Sequence, residues 1–385
     1  MFKAPAQLVV KLRNSEIRNR VKLNRQEGSR VVAPSLLWPG VRAVVPFGVW
    51  QSLSRVSLVV PYYHMISNDR VPHVQHLYRF RSVRQFEADL DFLLQQFVPV
   101  ELQHIVAHLD GVGDLPKRCF HLTFDDGFRE MHEVVAPVLL KKGVPATFFL
   151  NTAFLDGGGM AHHNKISLLL DRMPSQISTQ TLQQIEAILT QTAGGMGTLE
   201  SRLLSIRYAD RHVLDNIAGM VEVDVDRYIS TARPYLSSEE VLALLKHGFT
   251  IGAHSVDHPL YADLPLDEQI AQTRDSISSI VSRFDVRTRA FAFPHTDFGV
   301  RPEFFDALFT KGTLDVSFGT RGFLQHYFPR NIERCSMEKI AGTAESIIAR
   351  EYARKVYHGC LTRFQLSRAE PVKLTTTSKT LSSQR

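Results

Sequence analysis

Two adjacent carboxylates, Asp125 and Asp126, close an apolar, β-rich run that begins at Phe120, and Gly127 follows them. Like charges at the end of a buried strand repel each other and lose hydration. Such a pair needs a cation, a proton or a strong hydrogen-bond donor nearby. The plain structural alternative is an Asp that caps the next helix. Farther along, His254 and His258 are spaced i, i+4 in His254-Ser-Val-Asp-His258. On one helical turn or in a tight loop, that spacing aims both imidazoles at one ion. A chain with 16 histidines also produces such pairs by accident. Joined to a strand-end Asp, the pair makes a two-His, one-carboxylate set that leaves a coordination position for water or substrate. Borderline-hard ligands of this kind suit zinc, cobalt, iron, nickel or manganese. A third apolar run ends in Pro294-His295-Thr-Asp297.

Strands must carry these residues. Residues 57–63 read as the first strand, with His64 just beyond it, and 82–97 show the apolar spacing of a one-faced helix. A short strand at 98–102 and a helix to Leu109 follow. After the Asp pair, 128–142 reads as a helix bent by Pro137 and closed by Gly143, and 144–150 as a buried strand. Strand, helix, strand in that order implies a parallel sheet. The rhythm breaks over 153–234, which reads as a mostly helical insertion, and resumes with a capping box at Ser237-Ser-Glu-Glu240. Strands at 249–253, 289–293 and 316–319 alternate with helices at 266–284 and 302–311. In parallel α/β architectures the carboxyl ends of the strands converge on one face, so the three chemical motifs are expected to meet. The resulting division is a basic segment over 1–55, a barrel over 56–152 and 235–345, the insertion, and a C-terminal helix with a Ser/Thr-rich tail over 346–385.

Composition narrows the class. At 385 residues and 44% hydrophobic, the chain buries a large core. Three widely separated cysteines in no CxxC pattern give neither a disulfide framework nor a thiolate metal site, which suits a reducing compartment. No compact apolar stretch follows the N-terminal basic residues, and no charge-free run approaches the ~18–20 residues of a membrane span. Residues 1–60 hold ten Lys/Arg against two Asp/Glu, a net of +8, so with +6 overall the remaining 325 residues sum to −2. The basic character belongs to a leader: a solvated arm, or one that lies on anionic headgroups or phosphates. A cytoplasmic protein, peripheral at the inner face of the membrane and with no nucleic-acid partner, is the expectation.

Thr123-Phe-Asp-Asp-Gly127 together with His254-Ser-Val-Asp-His258 resembles the first two motifs of the polysaccharide deacetylases, the NodB-homology fold of carbohydrate esterase family four. Phe291-Ala-Phe-Pro294 is similar to a variant of the third, and Gly143-Val-Pro-Ala-Thr-Phe-Phe149 matches the usual context. The likeness spans roughly residues 56–335. It implies a distorted, incomplete (β/α) barrel with one divalent ion, zinc foremost, held by Asp126, His254 and His258. Asp125 would be the general base for the attacking water, and a backbone N–H just after Pro294 would help to hold the oxyanion. The pattern is departed from where family members carry an Arg that orients the base and a Tyr after the Pro. Ala292 and His295 stand there, so Arg330 is the expected replacement cation. Leu324-Gln-His326 matches the last motif, whose His is the general acid, and His295 is its rival. Asp297 would orient either histidine or cap the turn before Gly299. His64 either lines the site or is a satisfied rim residue, and His162-His163 are expected at the surface, with substrate contact the alternative. The resemblance implies removal of an acetyl group from an N-acetylated sugar. A non-sugar C–N bond cleaved with the same metal set, or a carbohydrate-binding relative without catalysis, are the alternatives.

Overall fold

The computed structural model describes residues 45–174, 177–194 and 196–368. The expectations for most of the basic leader, including its membrane contact, and for the Ser/Thr-rich tail lie outside the described residues. Among the described residues no helix is long and apolar enough to cross a membrane.

Eleven short strands carry the frame: β1 (Leu58–Val59), β2 (Pro61–Tyr63), β3 (Val98–Pro99), β4 (Cys119–Phe120), β5 (Leu122–Phe124), β6 (Ala146–Leu150), β7 (Thr250–Ala253), β8 (Ala290–Ala292), β9 (Val316–Gly319), β10 (Asn331–Glu333) and β11 (Cys335–Ser336). All their pairings are parallel, as the strand–helix–strand order requires. The main sheet runs β10-β9-β8-β7-β6-β5-β2-β11. Its two edge strands are consecutive pieces of one segment, joined only by Arg334. The sheet therefore curls until its edges meet there, which makes a distorted (β/α) barrel.

The first strand departs from expectation. It breaks at Val60: β1 joins β4 and β3 in a separate three-stranded sheet, and only β2 enters the barrel beside β5. The helix after the Asp pair differs too. Its first part, Met131–Val135, is a π-helical turn, and a regular helix starts only at Ala136–Lys142. Pro137 has no N–H to donate and its ring crowds the preceding turn, so that turn widens instead of the helix simply bending.

Strand parity sorts the core. Phe124, Phe148, Ile251 and Phe291 pack with helical residues such as Leu90, Leu244 and Ile277, while Phe149, Ala290, Ala292, Val316 and Phe318 form a smaller cluster of their own. Each fully buried Phe contributes about 1.5–3 kcal/mol to this packing. Ser82 and Ser237 both form capping boxes, with Gln85 and Glu240, and so fix where the helices Val83–Gln96 and Ser238–Lys246 begin. Among the described residues of the insertion are five short α-helices, His162–Arg172, Thr179–Thr192, Leu199–Leu203, Val213–Met220 and Val225–Ala232. They share an apolar cluster with Met65, Val74 and Phe128 of the barrel loops. That packing sets the insertion against the carboxyl ends of the strands.

One small residue keeps the barrel wall close. A Cβ on Gly252 of β7 would meet the Phe149 ring at 2.5 Å and the Ala290 carbonyl oxygen at 2.8 Å. The backbone oxygen has little room to yield. Gly252→Ala is expected to cost about 1–3 kcal/mol by overpacking, read as a lower urea midpoint with an unchanged m-value. An unchanged midpoint would mean that the wall relaxes freely.

Candidate active site

The register aligns the ends of the barrel strands. Tyr63 lies beside Phe124, Leu150 beside Ala253, Ala253 beside Phe291, and Gly319 beside Glu333. The next residue along each chain is thus His64, Asp125, Asn151, His254, Ala292 (with Pro294 two residues on), Thr320 and Arg334. This end of the barrel gathers the sequence-predicted chemistry.

Asp126, His254 and His258 come together there, with ligand-capable atoms within 4.8 Å of one another. Asp126 Oδ1 lies 3.1 Å from His258 Nε2 and 3.5 Å from His254 Nε2. His254 Nδ1 bonds to the Ala292 carbonyl at 2.8 Å, which leaves Nε2 to present a lone pair inward. The two histidines sit in a loop and not on a helical turn. Ser255 at φ +72° and His258 at φ +64° bend that loop back, and the Ser255 hydroxyl accepts the His258 N–H at 2.9 Å. Asp126 itself has φ +77°. Left-handed geometry at three non-glycine neighbours is strain of the kind held at functional sites. Asp126 Oδ1 is buried and lacks a hydrogen-bond partner despite its two imidazole neighbours. A buried carboxylate oxygen without a donor is costly, and a divalent cation answers that cost. The donor set of one carboxylate and two imidazoles fits such an ion.

Asp125 has a different partner. Arg334 grips it with two parallel bonds, Nη1 to Oδ1 at 2.7 Å and Nη2 to Oδ2 at 2.8 Å. The guanidinium is fully buried and also donates to Thr123 Oγ1 and the Gly319 carbonyl. It lies over the Tyr62 ring, 4.6 Å from the centroid. Burial alone would raise the Asp125 pKa, and Arg334 outweighs it and holds the carboxyl low. This corrects the expectation for Arg330, which instead bonds the Asp315 carbonyl and pairs with Asp110. The three residues of β10 separate the two arginines, and only Arg334 stands where the barrel closes.

His326, the expected acid, lies beside Asp297, which was expected to orient it or His295. His326 is buried with Asp297 and Glu333, its Nε2 3.8 Å from Asp297 Oδ2, and its Nδ1 accepts the Phe328 N–H at 3.1 Å. Asp297 caps no turn with its carboxylate: it accepts from the Thr320 N–H and the Asn331 side chain. Gly319 leaves room for this acidic cluster, since a Cβ there would meet Glu333 Oε2 at 2.5 Å. Burial and then Asp297 push Glu333 up to about 8. Burial lowers the His326 pKa, and Asp297 beside it works the other way. His64 feels Glu338, Asp126 and Asp125. His64 Nδ1 donates to Glu338 Oε2 at 2.6 Å, and Glu338 also accepts the N–H groups of His64 and Met65. Burial alone would lower the His64 pKa, but Glu338 outweighs it and pushes it up to about 9.

The insertion reaches the same place, against the expectation of a surface for His162-His163. His163 lies 4.5 Å from the His258 ring and 5.3 Å from the His295 ring. Tyr208 donates to Asp257, and Gln272 bonds its other oxygen at 2.8 Å, which pins the loop between His254 and His258. A cleft of about 490 Å³ opens beside it, lined by His162, Lys165, Arg211, His212 and Asp257 among others.

The sequence model of the polysaccharide deacetylase family matches residues 112–179 and 208–302, a span that holds Asp125, Asp126, His254, His258 and Pro294. His64, His326 and Arg334 fall outside it. No curated protein matches the chain. Among solved structures, IcaB from Ammonifex degensii is 18% identical with a TM-score of 0.48, over 77% of this chain and 97% of that one. The Streptococcus pyogenes deacetylase PplD is 14% identical with a TM-score of 0.48, over 77% and 99%. A de-N-acetylase from Aggregatibacter actinomycetemcomitans is 16% identical with a TM-score of 0.46, over 75% and 97%. The matched residues, which bring the adjacent carboxylates and the histidine pair to one barrel mouth, are similar to the polysaccharide deacetylases, hydrolases of carbon–nitrogen bonds other than peptide bonds.

Proposed function

We propose that the chain is a metal-dependent deacetylase that removes the acetyl group from an N-acetylated sugar. The observation that carries this reading is the division of labour within one pair: Asp126 turns to two histidines, and Asp125 is clamped by a buried arginine. A divalent ion held by Asp126, His254 and His258 would polarise the amide carbonyl and make water acidic enough to lose a proton near neutral pH. Asp125, kept ionised by Arg334, takes that proton as the water attacks. The bidentate clamp uses one lone pair of each carboxylate oxygen and leaves others to accept from water. The N–H of His295, just after Pro294, faces the charge that develops on the carbonyl oxygen. His64 supplies the proton that the departing amine needs, since Glu338 keeps its imidazole charged at neutral pH. The polar lining of the adjoining cleft suits a hydroxyl-rich ligand.

The test is acetate release from N-acetylglucosamine oligosaccharides by protein first stripped with a chelator and then reloaded with zinc. Stripping is expected to abolish release and reloading to restore it. Release that survives complete stripping, or none from any N-acetylated sugar after reloading, rejects the reading.

The assignment of His64 carries its own prediction. The acid must be protonated, so activity should fall as pH rises through about 9. Glu338→Gln removes the charge that raises this pKa and should move the alkaline limb of kcat downwards in pH, toward the ordinary histidine value of about 6.5. A pH–rate profile checks it. An alkaline limb that stays in place assigns the proton to another group.

A further inference from the structure

A second histidine triad adjoins the first. The ring nitrogens of His163, His258 and His295 lie within 4.8 Å of one another, and His295 sits 4.5 Å from the His258 ring. Of these three imidazole rings, the deacetylase centre proposed above uses only that of His258, through Nε2. The other nitrogen of that ring, Nδ1, is buried without a hydrogen-bond partner, on a residue that is only 4% exposed. Most ligating histidines secure their second nitrogen with a carbonyl or a carboxylate. His254 does so through Ala292. His258 does not, and two further imidazoles, those of His163 and His295, flank its ring.

The backbone favours this arrangement. His295 is held at φ +58° and His258 at φ +64°, strained for residues with a Cβ. Thr320 donates to the His295 carbonyl at 3.3 Å and steadies that turn. His163 comes from the first helix of the insertion, so three separate parts of the chain converge.

We infer that His163, His258 and His295 form a second cation position that takes a nitrogen-seeking divalent ion such as zinc or copper. The inference rests on the reading that Asp126, His254 and His258 hold the first ion. His258 then serves both positions, one through each ring nitrogen, and its Nδ1 proton leaves to solvent as the second ion enters. Three imidazole nitrogens suit zinc, copper or nickel better than magnesium or calcium. Without a carboxylate to add charge, the second position binds more weakly than the first. The insertion is then fastened to the barrel by an ion as well as by packing.

Equilibrium dialysis of the stripped full chain against zinc, with metal counted per chain, tests this. Wild type is expected to take two ions in two affinity steps. His163→Gln and His295→Gln, which keep polarity and similar bulk, should each take one. Asp126→Asn should also take one, held by the second triad. Melting curves of the metal-free proteins confirm that each variant is folded. Saturation of wild type at one ion overturns the inference, as does uptake of two by both glutamine variants. If that single ion is lost in Asp126→Asn and kept in His163→Gln, the deacetylase centre stands and the second position falls. The reverse pattern overturns the deacetylase centre and leaves the histidine triad as the metal site.

Discussion

Asp125→Asn is expected to keep its full complement of metal at the first position and to lose about 10²–10⁴-fold in kcat, the range a general base commonly contributes. The amide has the same shape as the carboxylate but cannot take a proton from water near neutral pH. Asp126 and the imidazoles of His254 and His258 are untouched, so the ion stays. His254→Ala should behave differently. It deletes a ligand whose orientation the Ala292 carbonyl has already fixed, and metal and turnover should fall together. Metal content and acetate release measured on the same preparations separate the two. A variant Asp125→Asn with more than a tenth of wild-type kcat would remove Asp125 from the role of base. Loss of metal from that same variant would mean that the two carboxylates share the ion, and the division of labour would fail.

The readable part of this site is the part that lies close together in the chain. Asp125 and Asp126 are neighbours at a strand end, and His254 and His258 share one loop. Each pair could be recognised before any folding was considered, and the parallel direction of the strands then sends the pairs to one mouth. The partners that tune them come from far away. Arg334 is 209 residues from Asp125, and Glu338 is 274 from His64. Their positions depend on which residue sits where the barrel edges meet, a property of closure that no local pattern encodes. One signal was present: an Arg inside an otherwise strand-like run, Asn331-Ile-Glu-Arg-Cys-Ser336, which asks for a buried anion. Arg330, four residues earlier, was the wrong choice because it precedes that strand. His326 rests on a two-letter motif match, and tertiary packing sets it beside Asp297. The surface expectation for His163 failed for a related reason. An insertion read as helical says nothing about which of its helices rests on the barrel mouth, and here the apolar cluster around Phe128 decides it.

Arg334 tests the site from the opposite side. Arg334→Met keeps most of the side-chain volume among Tyr62, Phe149 and Phe318 but deletes the charge that Asp125 faces. Breaking a buried ion pair by removing one partner costs about 3–5 kcal/mol, because the remaining charge is left uncompensated. Urea denaturation should show a loss of that size. The double variant Asp125→Asn/Arg334→Met has no stranded charge, and it should recover part of the loss. Additive costs in this cycle would mean that the bidentate pair is not energetically coupled. Catalysis adds a second readout. Burial raises the Asp125 pKa and Arg334 lowers it, so without the guanidinium the carboxyl holds its proton to higher pH. Arg334→Lys restores a positive charge but not the fork that engages both oxygens. In both variants the acid limb of the pH–rate profile should move to higher pH, further for Met than for Lys. A limb that does not move would show that Arg334 positions Asp125 without setting its charge, and the base would then owe its ionisation to the cation beside Asp126.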